Sequence, residues 1–562
     1  MSMTCSSSVF YDEEYFDFLA ENGDIDSNDE QEFDVACSFP LSYWITAVYL
    51  KKREQSRIPY AAVPFSSVPK CYGLMDMEAL TEMGIETVQN SSLELTGSGV
   101  LIGIIDTGID YQNPAFVYED GSSKIVSLWD QTDQSGKPPE GLPYGSEYTK
   151  TQIEQALKSE EPLSIVPSTD ENGHGTFLAG AAAGRRNEEE QISGAAPDAD
   201  LVVVKLKEAK KNLRDYYFLP ENVPVYSEVD VLAAFTYLAV RAGELKRPIV
   251  MMLGLGSSQG GHTGNGFLSE HINRIAIRSG YVVVLCAGNE GNTDHHYHGK
   301  FSGSQDEVEL RVGRMQKGFS MELWGKAPYR FRIRLESPTG QTTEWLDAGI
   351  RGRREFTFLL ERSQIYVDYQ VVDPYSGDQG ILFRFDSPAE GIWKILVSEL
   401  QQGEKEFDLW LPINDFVGDD TYFLRPDPYV TLTSPGDAGN AITVSAYRQS
   451  DGAVDPESSR GYTRNQLIKP DLAAPGVSVK GVLLRGRVGR KSGTSISAAL
   501  VAGMAADFLQ WAVVERNDPG ISTIGVKNYF IRGTKRDDNR SYPNREWGYG
   551  KADLFQVFLE IR

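Results

Sequence analysis

Apolar and polar positions fall into two textures along this chain. In the first, short continuous apolar runs end abruptly: Val100-Leu101-Ile102-Gly103-Ile104-Ile105 stops at Asp106, and Val282-Val283-Val284-Leu285 passes through Cys286-Ala287-Gly288 to Asn289. A run that is apolar at nearly every position predicts a strand buried on both faces, as in a parallel sheet. Residues 493–503, Gly-Thr-Ser-Ile-Ser-Ala-Ala-Leu-Val-Ala-Gly, predict a helix starting just after the first glycine. In the second texture, residues 319–324, 329–335 and 407–411 alternate apolar with polar, as half-buried antiparallel strands do. Segments 355–358 and 391–397 extend that pattern, so the chain reads as an α/β framework interrupted by an all-β sandwich over about 298–428.

Candidate chemistry sits where the apolar runs end. Ser495 stands at the predicted helix start, where unpaired backbone N–H groups and the helix dipole favour a developing negative oxygen. The same hydroxyl also fits an ordinary N-cap, so the choice rests on partners elsewhere. A nucleophilic serine needs a histidine base and a carboxylate to orient it. Of six histidines, only His174 lies in a glycine-flanked segment, Asn172-Gly173-His174-Gly175-Thr176, which would let a substrate backbone approach. Asp106 terminates a buried strand at its carboxyl end, where open α/β sheets place their sites; the bland alternative is a helix or turn cap. Asn289 offers an amide N–H for an oxyanion or, by itself, a turn asparagine.

The order Asp106, His174, Asn289, Ser495, within Asp-Thr-Gly, Asn-Gly-His-Gly-Thr and Gly-Thr-Ser-Ile-Ser, resembles the subtilisin-like serine proteases (subtilases, peptidase family S8) over about residues 95–295 and 430–562. The resemblance implies a three-layer α/β fold with a mostly parallel sheet. It further implies a triad of Asp106, His174 and Ser495, with Asn289 and the Ser495 N–H as the oxyanion hole. By the same likeness, Gly254, Leu255 and Gly256 face Ala287 and Gly288 across the pocket for the residue before the cut. Gly254 stands where many relatives carry serine, and Glu290 falls at the pocket rim, where it would favour a basic side chain.

The remainder of the chain sets the context. The first 50 residues hold no Lys or Arg, and residues 12–34 hold eleven acidic ones, a composition that reads as a disordered tail without an export signal. No stretch reads as long enough to span a membrane. Four cysteines, Cys5, Cys37, Cys71 and Cys286, show neither disulfide-rich density nor CxxC spacing, pointing to a reducing compartment and a cytoplasmic or spore-associated protein. Residues 37–50 are apolar enough to fold, and by resemblance belong to a small α+β propeptide that acts as an intramolecular inhibitor and is cut off within about 55–90, around 58–72. The expected division is 1–72 tail and propeptide, 73–297 and 429–562 catalytic domain, and 298–428 insert.

An unexported subtilase with such an insert resembles the clostridial germination-type Csp subtilases, in which the insert is a jelly roll and the substrate is the zymogen of a spore-cortex hydrolase. The formal charge of 55 − 79 = −24 sets the chain against nucleic acid and anionic membranes, leaving protein or peptide substrates. Ala115 occupies the place where many subtilases hold calcium, and His295, His296 and His298 lack acid or cysteine ligands at metal spacing and read as a flexible loop; no metal or cofactor is expected. The alternative from another class is a propeptide-plugged pseudoprotease that binds or signals.

Overall fold

The all-apolar runs lie side by side at the centre of the molecule, covered on both faces. The computed structural model describes residues 5–21, 35–42, 44–51, 67–72, 81–301, 304–347, 349–400 and 406–561. An antiparallel sheet of β1 (Tyr15–Glu21), β2 (Val35–Pro40) and β3 (Ile45–Lys51), in the order β1-β3-β2, comes first, followed by the two-residue β4 (Cys71–Tyr72). Next come β5 (Leu101–Asp106), β6 (Ile125–Asp130), β7 (Ser146–Thr149), β8 (Asp200–Lys205), β9 (Tyr226–Ser227), β10 (Ile249–Leu253) and β11 (Tyr281–Cys286).

Eleven strands then form the insert. They are β12 (His296–Lys300), β13 (Gln305–Val312), β14 (Gly318–Gly325), β15 (Phe331–Glu336), β16 (Leu346–Asp347) and β17 (Arg351–Phe358), then β18 (Ser363–Gln370), β19 (Gln379–Asp386), β20 (Gly391–Glu399), β21 (Glu406–Trp410) and β22 (Tyr422–Phe423). The chain returns through β23 (Ile442–Arg448), β24 (Ala453–Val454) and β25 (Leu472–Pro475).

The main sheet has nine strands in the order β24-β23-β11-β10-β5-β8-β6-β7, with β25 beside β23. Its pairings are parallel except at β6–β7 and β23–β24. Alternate residues serve two cores. Ile102, Ile104, Val203 and Met252 pack under α1 (His174–Ala183) and α4 (Thr494–Leu509), whereas Leu101, Ile105, Val204 and Met251 pack under α2 (Glu228–Leu245) and α3 (Phe267–Ile275). Two apolar faces per strand account for the unbroken runs in the sequence, and the result is the expected three-layer α/β arrangement.

The insert folds as two antiparallel sheets, β12-β21-β14-β19-β18-β17 and β16-β15-β20-β13-β22, closed over a core that includes Phe319, Phe385 and Trp393. The alternation read from the sequence sends Phe331, Ile333 and Leu335 of β15 inward; Arg332, on the opposite face, stacks over Trp345 at 4.7 Å.

Four expectations are corrected. The acidic stretch is not all tail: its residues 15–21 form β1, and Asp17 is buried in an ion pair of 2.6 Å with Lys210; residues 22–34 lie outside the described residues, as does most of the expected self-cutting region. Cys5 and Cys37 form a disulfide that staples the residues ahead of β1 to β2, so two of the four thiols are not free. Thr494–Val514 has the length and apolarity of a membrane-crossing helix, but 89% of its most apolar window is buried inside the fold. His295, His296 and His298 are not a loop: the last two lie on β12, and both contact Asp408 Oδ1, at 3.1 and 2.8 Å.

Candidate active site

The sheet brings two carboxyl-terminal strand ends and two helix starts to one place. Asp106 closes β5, Asn289 follows β11, His174 opens α1, and Ser495 is the second residue of α4. His174 links the first and last: its Nδ1–H donates to Asp106 Oδ1 at 2.8 Å, and the Ser495 hydroxyl lies 3.2 Å from its Nε2. Asp106 and Ser495 are fully buried and His174 is 3% exposed, so this polar chain runs through a medium of low dielectric, where hydrogen bonds are strong.

The strand ends are held by hydrogen bonds that the sequence reading did not include. Asp106 Oδ1 also accepts from the Thr107 N–H at 2.8 Å, while its Oδ2 is buried without a hydrogen-bond partner among the described residues. Gly254 faces that oxygen: a Cβ there would stand 3.2 Å from Asp106 Oδ2, 3.3 Å from His174 Cε1 and 2.6 Å from Leu178 Cδ1. The turn into α1 is organised by the buried carboxylate of Asp170, which accepts from Thr107 Oγ1, from the N–H groups of Asn172 and Gly173, and from both N–H and Oγ1 of Thr176. Thr107 Oγ1 accepts in turn from the Gly175 N–H. Gly175 is needed for this contact, because a Cβ would fall 2.3 Å from the Gly108 carbonyl oxygen. The expectation that it admits a substrate backbone is therefore replaced by packing of α1 against the Asp106 turn. An acid four residues before the histidine was the available signal for Asp170.

Asn289 is likewise oriented. Its Oδ1 accepts from Thr494 N–H at 3.2 Å and Thr494 Oγ1 at 3.0 Å, and Thr494 Oγ1 accepts from Gly288 N–H at 3.1 Å. With the carbonyl end of the amide fixed to the serine turn, the Nδ2 end is left as a donor beside the helix N-terminus that carries Ser495. Burial pushes the thiol of neighbouring Cys286 up to about 12, so it stays a protonated packing group.

The two segments expected to wall the pocket both reach Thr433. A Cβ on Gly256 would lie 2.3 Å from Thr433 Oγ1 and one on Gly288 would lie 2.7 Å from it, so Thr433 packs against both walls; Leu255 and Ala287 are buried beside them. Glu290 does not stand at the rim. It is buried, with Oε1 accepting from Asn414 N–H at 3.1 Å and Oε2 3.3 Å from His295 Nδ1, and it fastens the insert to the catalytic domain.

A model of the subtilase family matches residues 97–309 and 423–550, leaving out most of the sandwich. Thermitase of Thermoactinomyces vulgaris is 28% identical over 208 residues, 37% of this chain and 54% of that protein. The major intracellular serine protease of Bacillus subtilis (strain 168) is 24% identical over 226 residues, 39% of this chain and 53% of that protein. The chain thus spans about half the length of these curated relatives. Among solved structures, the Clostridium perfringens CspB protease superposes with a TM-score of 0.76 at 30% identity, covering 85% of this chain and 98% of that one, a coverage too great to omit the sandwich.

Proposed function

This chain belongs to the subtilase family, and on that premise we propose that it is a serine endopeptidase working through an acyl-enzyme. His174 Nε2 takes the proton of Ser495 Oγ as that oxygen attacks the scissile carbonyl. Asp106 keeps the imidazole in the Nδ1–H form and stabilises the imidazolium. The Ser495 N–H and Asn289 Nδ2 receive the oxyanion, His174 passes the proton to the departing amine, and water then releases the acyl group.

The observation that carries this reading is the histidine bonded at both ring nitrogens, to Asp106 and to a serine at a helix N-terminus. The enzyme first cuts its own amino-terminal segment, which inhibits until removed, and then acts on a narrow set of proteins. Its kinship with a clostridial CspB protease supports a zymogen of spore germination as that substrate. The Cys5–Cys37 disulfide favours a spore-associated setting over the reducing cytoplasm.

A second reading has one observation behind it: Ser495 is fully buried, as expected of a plugged pseudoprotease that binds rather than cuts. Labelling with a fluorophosphonate separates the two. The enzyme reading predicts one adduct, mapped to Ser495, and a rate at least about 10³-fold lower in His174→Ala. A wild-type chain that never takes the label supports the plugged binding protein.

A further inference from the structure

Residues 67–72 are seated on the catalytic domain ahead of its first core strand, and they deliver a cation into an acidic hollow. β4 pairs antiparallel with β9, Cys71 opposite Ser227 and Tyr72 opposite Tyr226, and the ladder continues to Lys70, whose carbonyl accepts from Glu228 N–H at 2.9 Å. The Lys70 N–H donates to Glu228 Oε2 at 3.3 Å. β9 belongs to no larger sheet among the described residues, although its Tyr226 also bridges Glu208.

The Lys70 side chain enters a hollow between the 260–267 loop of the catalytic domain and strand β14 of the insert, lined by Glu228, Gly260, Gly266, Glu322 and Trp324. Two glycines make the passage. A Cβ on Gly260 would lie 2.9 Å from Lys70 Nζ and one on Gly266 would lie 3.2 Å from it. Around the ammonium, Glu322 Oε2 accepts from Gly260 N–H and Trp324 Nε1, both at 2.9 Å, and Asp437 Oδ2 accepts from Gly264 N–H at 2.9 Å. Burial raises the carboxyls of both Glu322 and Asp437 above the ordinary range; at Glu322 it is opposed in part by the bonds from Trp324 and Gly260 and then by the charge of Lys70, and at Asp437 first by the charge of Lys70. About 40 Å³ remains open in the hollow, room for an arginine in place of the lysine.

The direction of the segment is informative. From Lys70 it runs to Tyr72 opposite Tyr226, which shares a surface hollow with Thr107 and Asn172, next to Asp106 and His174. A strand held on this edge therefore passes the acidic hollow before it reaches the catalytic residues.

We propose that this hollow is a specificity subsite for a lysine or arginine upstream of the cut, made jointly by the catalytic domain and the insert and filled here by Lys70 of the chain's own amino-terminal segment. Once that segment leaves, a protein substrate with a basic residue in the same register takes its place. The substrate half of this inference rests on the endopeptidase reading; the seating of Lys70 does not.

The test therefore has two arms. In full-length Ser495→Ala, hydrogen exchange of residues 67–72 reads the seating without any catalysis. Lys70→Glu is expected to speed exchange there by about tenfold or more, whereas Lys70→Arg stays within about threefold of the parent. Equal protection in Lys70→Glu overturns the subsite. In the second arm, the wild type cleaves synthetic peptides of residues 64–82 carrying Lys or Glu at position 70. A kcat/KM ratio of about 10 or more in favour of Lys is expected, falling toward 1 in Glu322→Gln/Asp437→Asn that still melts cooperatively. Equal rates on the two peptides in the wild type overturn the substrate role, while a chain that cuts neither peptide sinks the endopeptidase reading and leaves the exchange arm to judge the hollow.

Discussion

The proposed mechanism gives Asn289 two duties, one for each end of its amide. Its Oδ1 holds Thr494 and its Nδ2 is left for the oxyanion, so replacement by Ala removes a structural acceptor along with the donor. Asn289→Asp separates them, since a carboxylate keeps the acceptor and loses the donor. Steady-state kinetics on a peptide substrate should show kcat lower by about 10²–10³-fold with KM little changed. A loss confined to KM would assign Asn289 to substrate binding instead. Asp170 is a positioning residue: Asp170→Asn, which removes the charge that gathers five donors ahead of His174, should lower kcat and shift its pH profile while the fold still melts cooperatively. An unchanged profile would reduce Asp170 to a turn cap. At this scale the sequence was most legible for Asp106, His174 and Ser495, because each ends a strand or starts a helix. Asp170 left only its spacing of four residues before His174 as a signal, and Thr494 left none, because their roles are local hydrogen bonds whose geometry the residue pattern does not record. Glu290 was misplaced for a related reason: its partners, Asn414 and His295, lie across a junction whose geometry periodicity does not specify.

Among elements, the contact between the insert and the catalytic domain depends on stacked rings. Trp410 of β21 lies between His262 of the catalytic domain, at 4.0 Å, and His296 of β12, at 4.8 Å. Burial pushes His262 down to about 3, so that imidazole is neutral and the stack is aromatic packing rather than cation–π attraction. Trp410→Ala should destabilise the chain by about 3–5 kcal/mol in denaturant titration; a loss below about 1 kcal/mol would mean that the insert is held elsewhere.

The same strand pair titrates. The hydrogen bond to Asp408 raises His298 above its ordinary 6.5; for Asp408, burial acts upward but hydrogen bonds from His296 and His298 hold it well below its ordinary 3.8. A raised histidine contributes stability fully below 6.5 and loses it as pH climbs through its folded value. A depressed aspartate contributes above 3.8 and loses it as pH falls through its own folded value. Melting temperature should therefore drop as pH rises from 6.5, and His298→Gln should flatten that slope; parallel curves for the two proteins would remove His298 from the linkage. Alternation along β14, β15 and β21 made the sandwich readable, yet the histidine triplet was read as a loop because its acid partner, Asp408, lies 110 residues from His298.

For the whole molecule, one sheet and two helical layers followed from apolar runs that supply both faces of each strand, whereas the amino-terminal sheet did not. β1 lies inside an acidic stretch, and its placement depends on partners remote in sequence: Asp17 on Lys210, and Cys5 on Cys37. The disulfide closes a separation of 32 residues, which chain entropy values at about 3–4 kcal/mol. Cys5→Ser/Cys37→Ser should speed hydrogen exchange across β1 to β3 and leave β5, β10 and β11 protected; a uniform change would make the sheet part of the main cooperative unit.

The central claim, that Asp106, His174 and Ser495 hydrolyse peptide bonds and act first on the chain that carries them, meets its most direct test in intact-mass spectrometry of purified wild type beside Ser495→Ala. Two fragments are expected from the wild type, cut ahead of residue 90 and summing to the full chain plus one water, with Ser495→Ala intact. Two uncut chains of full mass, or the same cut in both, would contradict it.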